Sequence, residues 1–496
     1  MNAIEGESRQ REGSSAMIHI MNFRLQFAVG LVWALPAIGV ELPPCAGFKA
    51  GDRAACGTIT VLEDRANPTG RKIDLNVLVL RAEKSDGRAP LFLLAGGPGQ
   101  AATELVELAL GPFAAVREFR DVVLVDQRGT GKSNRIDCPN HSDTDPREAF
   151  GALFDPREVD ECRKEALQHS DPRFYGTLQV VSDLDEVRSR LGYERVVLWG
   201  GSGGTRTALV WLREHPDRVQ AVAIDGVAPT YFRAPSGYAR GSQDALNRVF
   251  ADCEAQAPCK SAYPDLRGDF QRLLHGFDGG PIRTFVTKEN GEKVDVDMHR
   301  GDFGYAVRGM LYNARFIAQL PKMIHAAAAT HDLSAFAQLF WMRDVGIRSA
   351  VSMGVHFSVF GTEDLPFIDR TMIPKLTEGT FLGTYLIDQY AAACEVWGSR
   401  GDLPSNYFEP VRSNVPVLLV SGYYDPTTPP QQAAEVATHL SNSRHIVVRN
   451  EAHGAGFGCA QQLVVDFLNS ASLAGLGPAC EDAAPIEFTL PERAPE

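Results

Sequence analysis

One serine sits among glycines. Gly200-Gly201-Ser202-Gly203-Gly204 follows an apolar run at 196–199 and precedes a stretch with helical spacing at Leu209, Trp211 and Leu212. A strand that turns sharply into a helix would lift the Ser202 hydroxyl clear of a sheet, and only glycine leaves room beside such a strained turn. The same turn would aim the Gly203 N–H at a developing oxyanion near the helix N-terminus. A serine hydroxyl is a weak nucleophile at neutral pH, so a base must lie within hydrogen-bond reach and a carboxylate must orient that base. Two loops offer them. Asp425 stands in Gly422-Tyr423-Tyr424-Asp425-Pro426, directly after an apolar run at 415–420, and His453 stands in Asn450-Glu451-Ala452-His453-Gly454, directly after 445–448. Glu451 and Asp402 are rival acids. The chemistry expected is acyl transfer through a covalent serine intermediate.

These groups need a sheet to hold them. Residues 57–61 and 73–80 predict two strands joined by a turn-rich segment, an opening antiparallel pair. Residues 90–95 form a continuous apolar run, as expected of a strand buried on both faces, and it ends in Gly96-Gly97-Pro98-Gly99-Gln100. That loop lacks the Lys-Ser/Thr ending of a phosphate cradle; it suits a second oxyanion donor opposite the serine turn. Residues 121–126 predict a further strand, followed by Gln127-Arg128-Gly129-Thr130-Gly131-Lys132-Ser133. A nucleotide loop would need glycine where Asp126 stands, so Asp126 and Arg128 are read as braces. An amphipathic helix at 179–191 and strands at 196–199 and 219–225 complete an alternation that implies a mostly parallel sheet covered on both faces.

From about 231 to 405 the chain reads as helix-rich, with no comparable series of buried strands. An inserted helical cap is expected there, with the sheet resuming at 415–422 and 445–448. The domain reading is a signal peptide at 1–40, a core at 45–229, a cap at 230–405 and the rest of the core at 406–496. The order Ser202, Asp425, His453, each after a strand, is the order of α/β-hydrolases. No H-E-x-x-H or C-x-x-C occurs in the sequence, so no metal or other cofactor is expected.

A chain of 496 residues exceeds one simple domain, and its formal net charge is −13 with no run of Lys or Arg. That balance argues against nucleic acid or an anionic membrane surface as partner. Residues 25–40, preceded by Arg24, have the length and polarity of an export-signal core and fall short of the ~20 residues a span requires. The polar residues before Met17 do not suit a signal, which points to Met17 or Met21 as the start. The protein is therefore expected to be exported, to the periplasm or beyond, without stable membrane insertion. Eight of nine cysteines fall into plausible local pairs: Cys45 with Cys56, Cys138 with Cys162, Cys253 with Cys259 and Cys459 with Cys480. Cys394 is left as a buried thiol.

Taken together, Gly96-Gly97-Pro98-Gly99, Asp126-Gln127-Arg128-Gly129-Thr130-Gly131-Lys132-Ser133, Gly200-Gly201-Ser202-Gly203-Gly204-Thr205, Tyr424-Asp425-Pro426-Thr427-Thr428-Pro429 and His453-Gly454 resemble the proline iminopeptidase and tripeptidyl-aminopeptidase branch of the α/β-hydrolases. The segment from about Ala393, with Cys394 and Trp397, is similar to the C-terminal region of exported members. The resemblance implies a serine exopeptidase that removes proline or short peptides from a free N-terminus, with Gly97 and Gly203 supplying the oxyanion N–H groups. The alternative is a carboxylesterase or related hydrolase on the same three residues. Two departures bear on substrate. Ala95 stands where relatives commonly have histidine, and Gly203 where they commonly have an aromatic residue. An acidic cap residue should hold the substrate's ammonium, with Glu363, Asp364, Asp388 and Glu395 as candidates.

Overall fold

Among the described residues ten strands form in chain order: β1 (Ala54–Leu62), β2 (Lys72–Leu80), β3 (Leu91–Leu94), β4 (Val122–Val125), β5 (Val196–Gly201), β6 (Val219–Asp225), β7 (Ile282–Thr287), β8 (Lys293–Met298), β9 (Val417–Gly422) and β10 (Ser443–Val448). The computed structural model describes residues 39–46, 53–478 and 480–491, so nearly all of the expected signal segment lies outside the described residues. Eight strands make the central sheet in the order β1-β2-β4-β3-β5-β6-β9-β10. The β1–β2 and β2–β4 pairings are antiparallel and the other five are parallel.

The apolar runs explain the burial. Alternate residues of a strand point to opposite faces. Phe92 and Leu94 of β3 enter one apolar cluster with Leu198, Val123 and Trp211, while Leu91 and Leu93 enter another with Val122, Leu124 and Trp199. Both faces are thus covered, the first by helices Thr177–Arg190 and Gly203–Glu214, the second by helix Gln461–Ser470 and the segment around Phe113. Such strands cannot be exchanged for alternating ones without exposing a row of side chains. Asp126 and Arg128 brace the loop after β4. Asp126 accepts from Thr103 N and Oγ1, Asn76 Nδ2 and Lys132 N, and the buried Arg128 grips Asp183 at 2.6 and 2.7 Å.

A third apolar cluster gathers the helices of residues 230–405, here termed the cap, and is rich in phenylalanine, including Phe303, Phe336 and Phe340. The cap also holds β7 and β8, an antiparallel hairpin absent from the sequence reading. Segments outside 230–405 share this cluster, those of Tyr424 and Ala452 among them. Ile136, Phe154, Cys162 and Tyr175 pack into it, as do Ile486 and Phe488 near the C-terminus. The physical reason is coverage. The cap helices present more apolar surface than they bury among themselves, and these segments complete it: Phe154 packs edge-on against Phe357 and Tyr390, while Thr489 N donates to Ala318 O.

Cap and core are fastened at several points. Ser352 N donates to Gly99 O at 2.9 Å, Val351 bridges Gln100, and His356 Nδ1 donates to Pro98 O at 2.9 Å while its Nε2 meets Tyr390 Oη at 3.0 Å. Arg206, on the helix after the serine turn, makes paired 3.0 Å contacts with Asp364. All four expected disulfides are formed. Cys394 is the free cysteine, and burial pushes its thiol well above its ordinary range. Among the described residues no helix is long and apolar enough to cross a membrane.

Candidate active site

The serine turn is strained as its glycines imply. Ser202 has φ 52° and ψ −122°, a conformation in which a side chain is costly, and it caps the helix Gly203–Glu214. Close approach excludes side chains on either side of it. A Cβ at Gly204 would sit 2.2 Å from Leu94 O, and one at Gly200 would sit 2.6 Å from Gly204 O. The loop after β3 packs onto the turn, since a Cβ at Gly203 would lie 3.2 Å from Pro98 N and 3.4 Å from Gly97 N. The two backbone segments expected to supply N–H donors therefore lie side by side. The first N–H groups of a helix have no intrahelical partner, so Gly203 N is open to an acceptor.

His453 and Asp425 meet at the ends of β10 and β9. The imidazole Nδ1 lies 2.7 Å from Asp425 Oδ2. The buried carboxylate is saturated: Oδ1 accepts from Thr427 N and Thr428 N at 2.8 Å, and Oδ2 accepts from Thr428 Oγ1 at 2.8 Å. Burial opposes its ionisation, but the His453 charge and hydrogen bond and the two amides outweigh this and hold the carboxyl below its usual range. The reverse holds for the ring. Burial disfavours the imidazolium, yet the charge and hydrogen bond of Asp425 raise His453 to about 9, with smaller contributions from Tyr312 and Asp225. Such a pair fixes the tautomer with the proton on Nδ1 and leaves Nε2 free to act as a base.

Ser202 and His453 line one cavity of about 420 Å³ beneath the cap, with Gly97, Gly203, Tyr238, Arg308, Tyr312 and Tyr390 among its walls. No hydrogen bond joins the serine hydroxyl to the imidazole among the described residues; in ligand-free hydrolases that contact commonly tightens only with substrate. The rival acids stand apart: Asp402 is exposed, and Glu451 is half-buried without a contact to the imidazole. His445 hydrogen-bonds Ser421 at 3.0 Å, a structural contact.

Some functional groups escaped the sequence reading. Asp225, at the end of β6, is buried and accepts from Ala455 N at 3.1 Å and Gly456 N at 2.8 Å, so it anchors the loop that carries His453. Burial raises its carboxyl to about 6. An acid at the carboxyl end of a parallel strand beside the serine strand was the available signal. Tyr312 packs edge-on against the His453 ring at 5.1 Å, and its carbonyl accepts from His453 N at 3.2 Å. Of the four cap acids, Asp388 and Glu395 are exposed. Glu363 binds Thr177 and Tyr407, and Asp364 is engaged by Arg206. None of the four presents a free carboxylate to the cavity.

Strand order, the strained serine turn and the capped cavity define a serine hydrolase architecture. Residues 89–457 match the family described as alpha/beta hydrolase fold. The chain belongs to that family. It is 26% identical over 500 residues to the serine protease Hip1 of Mycobacterium tuberculosis, which covers 90% of this chain and 92% of that protein. It is 28% identical over 210 residues to a tripeptidyl aminopeptidase of Streptomyces coelicolor, 38% of each chain. It is also 25% identical over 138 residues to a proline iminopeptidase of Neisseria gonorrhoeae, 28% of this chain and 32% of that one.

Proposed function

We propose that the protein is an exported serine exopeptidase that removes N-terminal proline or short peptides through an acyl-enzyme. The observation that carries this is the Asp425–His453 pair and the strained Ser202 opening into one cap-covered cavity. Ser202 Oγ attacks the peptide carbonyl while His453 Nε2 takes its proton. The N–H groups of Gly97 and Gly203 donate to the oxyanion. The imidazolium, stabilised by Asp425, then delivers its proton to the leaving amine, and water releases the acyl group by the same steps in reverse.

Two further observations support a peptidase acting on short chains, and a third supports its export. The relatives named serine protease and tripeptidyl aminopeptidase fall in this family. A cavity of about 420 Å³ suits a small ligand rather than a folded protein. Four disulfides suit an oxidising compartment, the periplasm or the exterior.

The test is amine release from a proline arylamide, run beside its N-acetylated twin and a short-chain p-nitrophenyl ester. Turnover of the free-amine compound and not its acetylated twin supports the aminopeptidase. Turnover of the ester alone moves the protein to the esterase class and leaves Ser202, Asp425 and His453 in place.

A further inference from the structure

The charges lining the cavity do not balance locally. Four arginines line it, Arg206, Arg308, Arg343 and Arg348, and so do the acids Asp225, Asp344 and Asp364. Arg206 is paired with Asp364 and Arg348 with Asp344, in each case at 3.0 Å. Asp225 is held by two backbone amides. Arg308 and Arg343 remain, and neither has a carboxylate within 4.0 Å among the described residues.

Their other contacts are aromatic. The Arg308 guanidinium lies 4.6 Å from the Tyr238 ring centre and 4.9 Å from that of Tyr312; Arg343 lies 4.3 Å from Tyr312 and 5.2 Å from Tyr305. Arg308 is 3% exposed, donates one hydrogen bond, to Thr427 Oγ1 at 2.8 Å, and leaves its Nε buried without a partner. The Nε of Arg343 is also buried and unpartnered. Arginine cannot shed its proton to escape such a site. Aromatic faces attract a cation but do not neutralise it. Two cations without a carboxylate partner share one tyrosine, whose hydroxyl they help pull down to about 8 against its burial, and an anion placed between them would relieve the cost of burying them.

We infer that Arg308 and Arg343 form a subsite for a carboxylate carried by the substrate on its leaving side. The assignment of side follows from Tyr312, which packs on the His453 ring and lies against both arginines. The imidazole must face the leaving amine to protonate it, so groups around the imidazole face the leaving portion. The subsite rests on the peptidase reading and narrows it: the enzyme selects short peptides whose free C-terminus, or an acidic side chain near it, reaches the arginine pair.

The test separates this subsite from the peptidase reading by measuring inhibition rather than peptide cleavage. Hydrolysis of p-nitrophenyl acetate, a neutral probe, is inhibited with Ala-Ala-Ala, with its C-terminal amide, and with Ala-Ala-Asp amide. A carboxylate on either acid, bound at least tenfold tighter than the neutral amide, supports the subsite, and the comparison between the two acids tells a terminal from a side-chain carboxylate. Equal inhibition by all three overturns it, whether or not any peptide is cleaved. In Arg343→Gln the preference should collapse to within about twofold, with partial recovery in Arg343→Lys. A preference that survives in both Arg343→Gln and Arg308→Gln also overturns the proposal. The wild-type comparison stands even if the buried Arg308 variant fails to fold.

Discussion

Asp425→Asn tests the site most sharply, because the surrounding hydrogen bonds dictate how the amide must sit. Oδ1 of Asp425 accepts two backbone N–H groups, so the asparagine carbonyl must take that place and its NH2 must take the place of Oδ2. There it faces His453 Nδ1, now at 2.7 Å from Oδ2, and can only donate to it. The ring is then locked with its proton on Nε2, the wrong tautomer for accepting one from Ser202. The charge that raises His453 to about 9 is lost at the same time, while the burial that opposes the imidazolium remains. The ring should fall below its ordinary 6.5. From about 9 to below 6.5 is a loss of roughly 3 kcal/mol or more in imidazolium stabilisation, which weakens the base. The tautomer error brings the expected loss in kcat toward about 10⁴-fold. The assay is kcat/KM against pH for wild type and variant on the ester and the arylamide. Neutral imidazole is the working base, so wild-type activity should climb as pH rises toward about 9. A variant that loses less than about tenfold and keeps the wild-type alkaline inflection would refute the role given to Asp425.

Other changes have equally definite outcomes. Gly226→Ala places a Cβ 3.0 Å from Thr428 Oγ1 and 3.1 Å from His453 Cε1 at a φ of +68°, so kcat should fall and stability should drop by roughly 1–3 kcal/mol, read as earlier thermal unfolding. Asp225→Asn leaves one acceptor for two amides; kcat should drop with little change in KM, and amide exchange at Ala455 and Gly456 should quicken. Arg206→Met leaves Asp364 buried without its partner and should destabilise the fold by about 3–5 kcal/mol, whereas Arg206→Met with Asp364→Leu should recover much of that in denaturant titration. Replacing Cys138 and Cys162 together by Ala opens a loop of sequence separation 24 and should reduce stability by about 3 kcal/mol, read as an earlier calorimetric transition.

Much of the fold was legible because its signals are local. A continuous apolar run such as 90–95 can be satisfied only between two covered faces, and Phe92 and Leu93 indeed enter opposite clusters. The serine turn declares itself through glycines that no other residue could replace within 2.2 to 2.6 Å of backbone carbonyls. Each disulfide joins cysteines already near in sequence. The hairpin β7–β8 was missed because its strands are short and its helical surroundings dominate the pattern, although Asn290-Gly291 marked its turn. The cluster of Tyr238, Tyr305, Arg308, Tyr312 and Arg343 was invisible for a different reason. Its members come from three helices and one helix end, Tyr238 on the first, Tyr305 and Arg308 on the second with Tyr312 just beyond it, and Arg343 on the third, and a buried arginine reads in sequence like any exposed one. The association of residues near 136–175 and 486–489 with the cap is likewise decided by which apolar surface is left to cover.

The fastenings between cap and core set how the enzyme is entered. Arg206 ties the serine helix to Asp364, His356 ties the Pro98 loop to the cap, and Ser352 hydrogen-bonds the Gly99 carbonyl. A roof riveted at these places pulls on the Pro98 loop and on the helix that Ser202 caps whenever it shifts, so admission of a ligand and the setting of the backbone around the serine are mechanically coupled, and slackening one rivet should be felt at the other.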